Sequence, residues 1–175
     1  MDIAAQLLTA HSRGNANLVL NYVLADAARV PELMQAFLEG EYRVVQRAAM
    51  VVGDLGRVKP LWLEPWHGRM ITAADHPEAH DAVRRNVMRY FSELTIEQIG
   101  PDDEGRLVDL AFRLLADQQA AVAIRVFAMQ IIYNYVARYP VLADELAGII
   151  ELTLAEGTTP GFRSRGRKIL GWLER

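Results

Sequence analysis

The sequence predicts an all-α protein: a right-handed α-α superhelix of about four helical hairpins, with capping helices at its amino end. Three observations predict it. A twelve-residue segment recurs four times, starting at Val44, Val83, Ile124 and Phe162, at spacings of 39, 41 and 38 residues. Within each copy the apolar residues fall at i, i+4, i+7, i+8 and i+11, one face of a helix. Aromatic and β-branched residues keep that spacing, and no stretch alternates as a half-buried strand would. Self-similarity near forty residues marks a stacked-hairpin solenoid, in which each unit buries its apolar face against its neighbours.

The elements follow in order. Residues 2–25 read as two short helices broken at Ser12-Arg13-Gly14-Asn15, within an amino-terminal cap, 1–28, for the apolar edge of the first repeat. The first repeat, about 29–58, pairs Val30, Leu33, Met34, Phe37 and Leu38 with the segment from Val44 to Leu55. The second, about 61–94, has a less regular first half around Pro65, a residue suited to starting or kinking a helix. The third, about 102–138, pairs Leu107, Leu110, Ala111, Leu114 and Leu115 with the helix from Ile124 to Tyr135. The fourth, about 141–174, pairs Leu142, Leu146, Ile149, Ile150 and Leu154 with the helix from Phe162 to Leu173. Gly40, Gly56, Gly100 and Gly157 are expected where helices stop. Thr159-Pro160 reads as an N-cap with proline in the first turn, and Asp75-His76-Pro77 as the same signal before the second repeat's inner helix. The second column of the repeat, Ala48, Val87, Ala128 and Gly166, is small in three members, so a neighbouring helix can approach closely.

The segment Val44-Val45-Gln46-Arg47-Ala48-Ala49, followed by Gly53-Asp54-Leu55-Gly56, resembles the second helix of a HEAT repeat. The whole chain is similar to a family of small bacterial HEAT-like proteins without an assigned role, some of which carry the name adenylosuccinate lyase. Tyr42–Met50, His80–Phe91 and Ala121–Met129 carry that likeness. The resemblance implies the armadillo-like solenoid and brings no functional residues with it. The lyase is far longer and needs a glycine-serine-rich loop that this sequence lacks.

Composition narrows the function classes. At 175 residues and 51% hydrophobic, the chain can fill one core, and a single domain over 1–175 is expected. It has no cysteine, which excludes disulfides and thiol chemistry. No apolar run reaches the ~20 residues that span a bilayer, and the start lacks a basic leader, so a cytoplasmic protein is expected. The net charge of −3 does not indicate a globally basic nucleic-acid binder. The charge is uneven: Arg163, Arg165, Arg167, Lys168 and Arg175 crowd the last sixteen residues against Glu174 alone.

Four groups of residues are candidates for a site. One position after the first apolar column stand Val45, Arg84, Arg125 and Arg163, ~76° from the centre of the apolar stripe at ~100° per residue. With Arg89 this row, on the concave side expected of second helices, suits a phosphate or an acidic peptide. The packing alternative is a ladder pairing those arginines with Asp81, Asp109 or Asp117. The start of the last helix, Thr158 to Lys168, offers free amides beside arginines as an anion site, or is a capped terminus with solvated charges. Trp62 and Trp66, near His67, suit a stacking platform for a base, or simply fill the core. His76 and His80, four apart, are considered for metal, but Pro77 spoils their shared helical face and no third ligand is in register.

No nucleophile elbow, phosphate loop or dinucleotide fingerprint is present, so no catalytic residue, metal or cofactor is expected. The favoured expectation is a non-catalytic protein-interaction scaffold, monomer or homodimer, binding another protein or an acidic peptide, without a membrane. The alternative is nucleic-acid binding, by analogy with HEAT-like DNA alkylation-repair proteins, whose solenoids are longer and more basic. An enzyme of another kind has only the name carried by some relatives to suggest it.

Overall fold

A computed structural model describes all 175 residues, Met1–Arg175, as ten α-helices joined by turns and short 3-10 segments, with no strand. That content is consistent with a HEAT-like helical solenoid. No helix is long and apolar enough to cross a membrane. The chain divides into two compact units, Met1–Glu93 and Leu94–Arg175.

The first unit contains α1 (Ile3–Thr9), α2 (Arg13–Leu24), α3 (Val30–Glu39), α4 (Tyr42–Val58), α5 (His67–Asp75) and α6 (Asp81–Glu93). Asp2 and Ser12 cap α1 and α2, accepting from the amides of Ala5 and Asn15. Helix α4 is central, packing on α1, α2, α3 and α6. Its buried face is Val44, Ala48, Val51, Val52 and Leu55, the columns read from the repeat. Each fully buried Val, Leu or Phe contributes roughly 1.5–3 kcal/mol.

Two details of this unit differ from the sequence reading. Gly56 does not stop α4; it lies inside the helix, buried against α6. A Cβ there would stand 2.4 Å from Cδ2 of Tyr90, and one at Gly53 would stand 2.5 Å from Oδ1 of Asn86. The glycines are there because α4 and α6 nearly touch, a cause that a single sequence shows no differently from a helix stop. Likewise His76-Pro77 does not open the inner helix. Helix α5 runs to Asp75, the pair forms the turn, and α6 begins at Asp81.

The irregular first half of the second hairpin is a 3-10 stretch, Pro60–Trp66, leading into α5. Leu63 and His67 point inward from it, while Trp62 and Trp66 are only half-buried.

The second unit begins with a 3-10 turn, Ile96–Gln98, held by a Thr95–Gln98 capping box. It then contains α7 (Pro101–Ala116), α8 (Val122–Val136), α9 (Leu142–Glu156) and α10 (Pro160–Leu173). Helix α8 is apolar around most of its circumference because α7, α9 and α10 all pack on it. Gly157, at φ 91°, ends α9, and Gly166 lets α10 close on Ile150 of α9. Leu170 and Leu173, the last two column positions of α10, are only half-buried.

Gly56→Ala should destabilise the protein by about 1–2 kcal/mol, because overpacking costs of ~1–3 exceed the ~1 that alanine contributes to a helix. Gly105→Ala, inside α7 with open space above its Cα, should stabilise by about 0.5–1 kcal/mol. Urea unfolding of both variants checks the pair; a stabilising Gly56→Ala would refute the close approach.

Candidate functional site

The arginine row is where sequence and structure meet. Arg84 is the fourth residue of α6, and it donates from Nε to the carbonyl of Ala74 (3.2 Å) and from Nη2 to that of His76 (2.9 Å), at the end of α5. Arg125, the fourth residue of α8, donates from Nε to the carbonyl of Leu115 (2.9 Å) at the end of α7, and from Nη2 to Oγ1 of Thr153 (3.2 Å). Its guanidinium also lies 4.5 Å from the ring centre of Phe162 and is almost sealed, the residue being 7% exposed. Burial lowers its pKa, and the nearby Asp117 carboxylate partly offsets this. Arg163, the fourth residue of α10, donates to the carbonyl of Thr158 (3.1 Å), just beyond α9.

Thus Arg84 and Arg125 meet carbonyls at helix ends, where the macrodipole is negative, and Arg163 meets one in the turn before α10; none of the three is hydrogen-bonded to the carboxylates of Asp81, Asp109 or Asp117. Two arginines outside the row do the same: Arg47 donates to the carbonyl of Leu7 at the end of α1 (2.7 Å), and Arg29 to that of Tyr22 in α2 (2.7 Å) while lying over the Tyr22 ring. Arg89, by contrast, pairs with Glu93 one turn on (3.3 Å).

The other sequence candidates are placed as follows. Trp62 lies near Lys59 and Trp66 near Arg69, and no ring contact joins the two indoles. The hydroxyl of Thr159 accepts from the amide of Phe162, which caps the start of α10; Arg165 reaches Gln130, and Lys168 lies over Trp172. His76 and His80 each accept a backbone amide at Nδ1, from Glu78 and Ala82.

The sequence placed His67 only beside the two tryptophans of the stacking segment and gave it no partner of its own. It is buried, with Nε2 2.7 Å from the hydroxyl of Tyr90. That hydroxyl donates its single proton to the carbonyl of Pro60 (2.9 Å), so His67 is the donor and carries its proton on Nε2. Burial and, secondarily, Glu64 push the Tyr90 phenol up. The pair ties the 3-10 stretch and α5 to α6.

Two open grooves are lined by large apolar side chains, one in each unit. The first, about 440 Å³, is floored by Phe37, Leu38, Val45 and Val83 and rimmed by Tyr42 and His80. Tyr42 is 66% exposed, and its ring stands edge-on to His80 at 5.1 Å. The second, about 480 Å³, runs between α7 and α9 past Val108, Phe112 and Leu142, with Glu104, Asp109 and Glu145 on its walls. Glu104 is held by Arg138 and by the Tyr139 hydroxyl (3.0 Å). Beside it the buried Tyr135 hydroxyl has no hydrogen-bond partner, and burial, then the Glu104 charge, raises its pKa. Neither groove was read from the sequence, because each is a space between helices rather than a residue pattern.

The family model for the HEAT repeat domain matches residues 3–173. The chain belongs to the HEAT-repeat family. No curated protein and no solved structure matches it. HEAT repeats generally mediate protein interaction or scaffolding, and the family is typically non-enzymatic.

Arg125→Ala should cost about 1–3 kcal/mol by leaving the Leu115 carbonyl and the Thr153 hydroxyl short of a donor. Arg125→Lys should recover only part of this, since an ammonium cannot fork to both. Tyr90→Phe should cost a similar ~1–3 kcal/mol through His67 and Pro60. Denaturant unfolding measures all three; wild-type stability in Arg125→Ala would show that its contacts carry no weight.

Proposed function

We propose that this HEAT-repeat chain is a non-catalytic interaction scaffold, and that the groove between its first two hairpins is a docking site for another protein. The observation that carries this reading is Tyr42. A largely exposed aromatic ring over an apolar groove is unfavourable in water and suits an anchor position in an interface. The groove's walls belong to well-packed helices, so a partner would meet a preformed surface and lose little to ordering it. The row of Arg84, Arg125 and Arg163 serves the hairpins themselves under this proposal, and charge reversal at Arg125 would report on folding before binding.

The nucleic-acid alternative rests on Trp62, Trp66 and exposed basic residues of α10, in a chain of net charge −3. Its signature would be binding that weakens steeply with salt.

Tyr42→Asp should change stability by less than about 0.5 kcal/mol, because the residue is a surface one. It should reduce recovery of co-purifying protein at least tenfold relative to the parent, while Leu152→Asp, exposed on α9, should not. Equal recovery with all three would overturn the groove as the docking site. Steeply salt-dependent binding of labelled DNA or RNA, untouched by Tyr42→Asp, would put the nucleic-acid reading in its place.

A further inference from the structure

Three of the four hairpins place an arginine at the fourth residue of the second helix; Arg84 and Arg125 donate to carbonyls at the end of the first helix, and Arg163 to Thr158 in the turn two residues past it. In the first hairpin the equivalent residue is Val45, which has nothing to donate. The arginine nearby, Arg47, is turned the other way, onto α1. No backbone or side-chain donor reaches the carbonyls of Phe37, Leu38 and Glu39, the last residues of α3. The carbonyls that end α3 receive no guanidinium, although Arg69 reaches the Glu39 carboxylate beside them. The space such a group would fill is the open groove, lined by Phe37, Leu38 and Val45.

Twice within the chain a guanidinium combines a helix-end carbonyl with an aromatic face. Arg125 meets Leu115 and Phe162, and Arg29 meets Tyr22 through both its carbonyl and its ring. The groove brings together the same two kinds of partner without the cation: the last turn of α3, through Phe37 and Leu38, and the exposed Tyr42. The Glu78 side of the lining adds negative charge. Arg69 also lines the groove, but it gives Nη2 to the Glu39 carboxylate (2.6 Å) and lies over Trp66, so that pair is neutral.

We infer that this groove is a guanidinium site: it takes an arginine side chain from a partner protein, stacked on Tyr42 and donating to the carbonyls of Leu38 and Glu39 at the end of α3. The site rests on the docking reading above and names its chemistry. Arginine fits better than lysine because a planar fork can stack on a ring and donate in its own plane at once. A purely apolar anchor would cover the ring and leave those carbonyls without a donor.

The test is an NMR titration of the full chain with N-acetyl-arginine amide, against N-acetyl-norleucine amide as the uncharged match. The arginine probe should shift the amides of Leu38, Glu39, Tyr42 and His80 at least fivefold more than the norleucine probe at equal concentration. Val45→Arg, which supplies the missing group from within, should abolish the response without lowering the thermal midpoint. Tyr42→Ala, a surface change that spares the fold, should weaken it severalfold. Equal shifts from both probes would overturn the guanidinium inference and leave the docking reading standing. An arginine response undiminished in both variants would overturn it as well. If neither probe moves these amides, the guanidinium inference falls; the docking reading falls with it only if Tyr42→Asp also leaves co-purification unchanged.

Discussion

An α-helix ends in carbonyls that have no partner within the helix, and a chain built of hairpins must deal with those ends at every turn. Here the commonest solution is arginine. Its side chain is long enough to reach back from the second helix, always charged, and branched enough to meet more than one acceptor. Placed at the negative end of the dipole, such a cation contributes about 0.3–1 kcal/mol, and up to ~2 where partly buried. Arg125 shows the strongest form, with a carbonyl, a hydroxyl and an aromatic face around one guanidinium. The turns can therefore stay short and polar while the apolar columns behind them set the packing.

The same constraint explains why the first hairpin differs. Its turn is only Gly40-Glu41, against five residues between α5 and α6, and its fourth position holds valine. Where the second and third hairpins have an arginine on the helix end, the first has an open groove beside it. Under the guanidinium inference, the first hairpin makes a site by omitting a group that the second and third keep. The remaining groups need not change, because the helix end and the aromatic ring already belong to the fold.

The second hairpin is held differently. Its first half is a 3-10 stretch with Pro65 inside, poor in regular backbone hydrogen bonds. The His67–Tyr90–Pro60 chain of hydrogen bonds replaces part of that regularity, and edge-to-face contacts among His67, Tyr90 and Phe91 surround it. Gly56 belongs to the same device: a side chain there would strike the Tyr90 ring, which its two hydrogen bonds keep in place. A polar network, two glycines and an irregular turn form one packing unit.

The sequence by itself determined the helical class, the forty-residue period and the buried face of the first three second helices and most of the fourth, because apolar spacing at 3.6 residues is local and survives without knowledge of neighbours. It also marked Val45, Arg84, Arg125 and Arg163 as one column, but could not say whether that column faced a partner, an acid or a helix end. Tertiary structure decided this, since the carbonyls concerned lie about ten residues back and across a turn. It likewise decided that Gly56 is a contact and not a stop, that His67 has a partner, and that Tyr42 overlooks an open groove. Each depends on distances between helices, and a linear pattern of residue types carries no record of them.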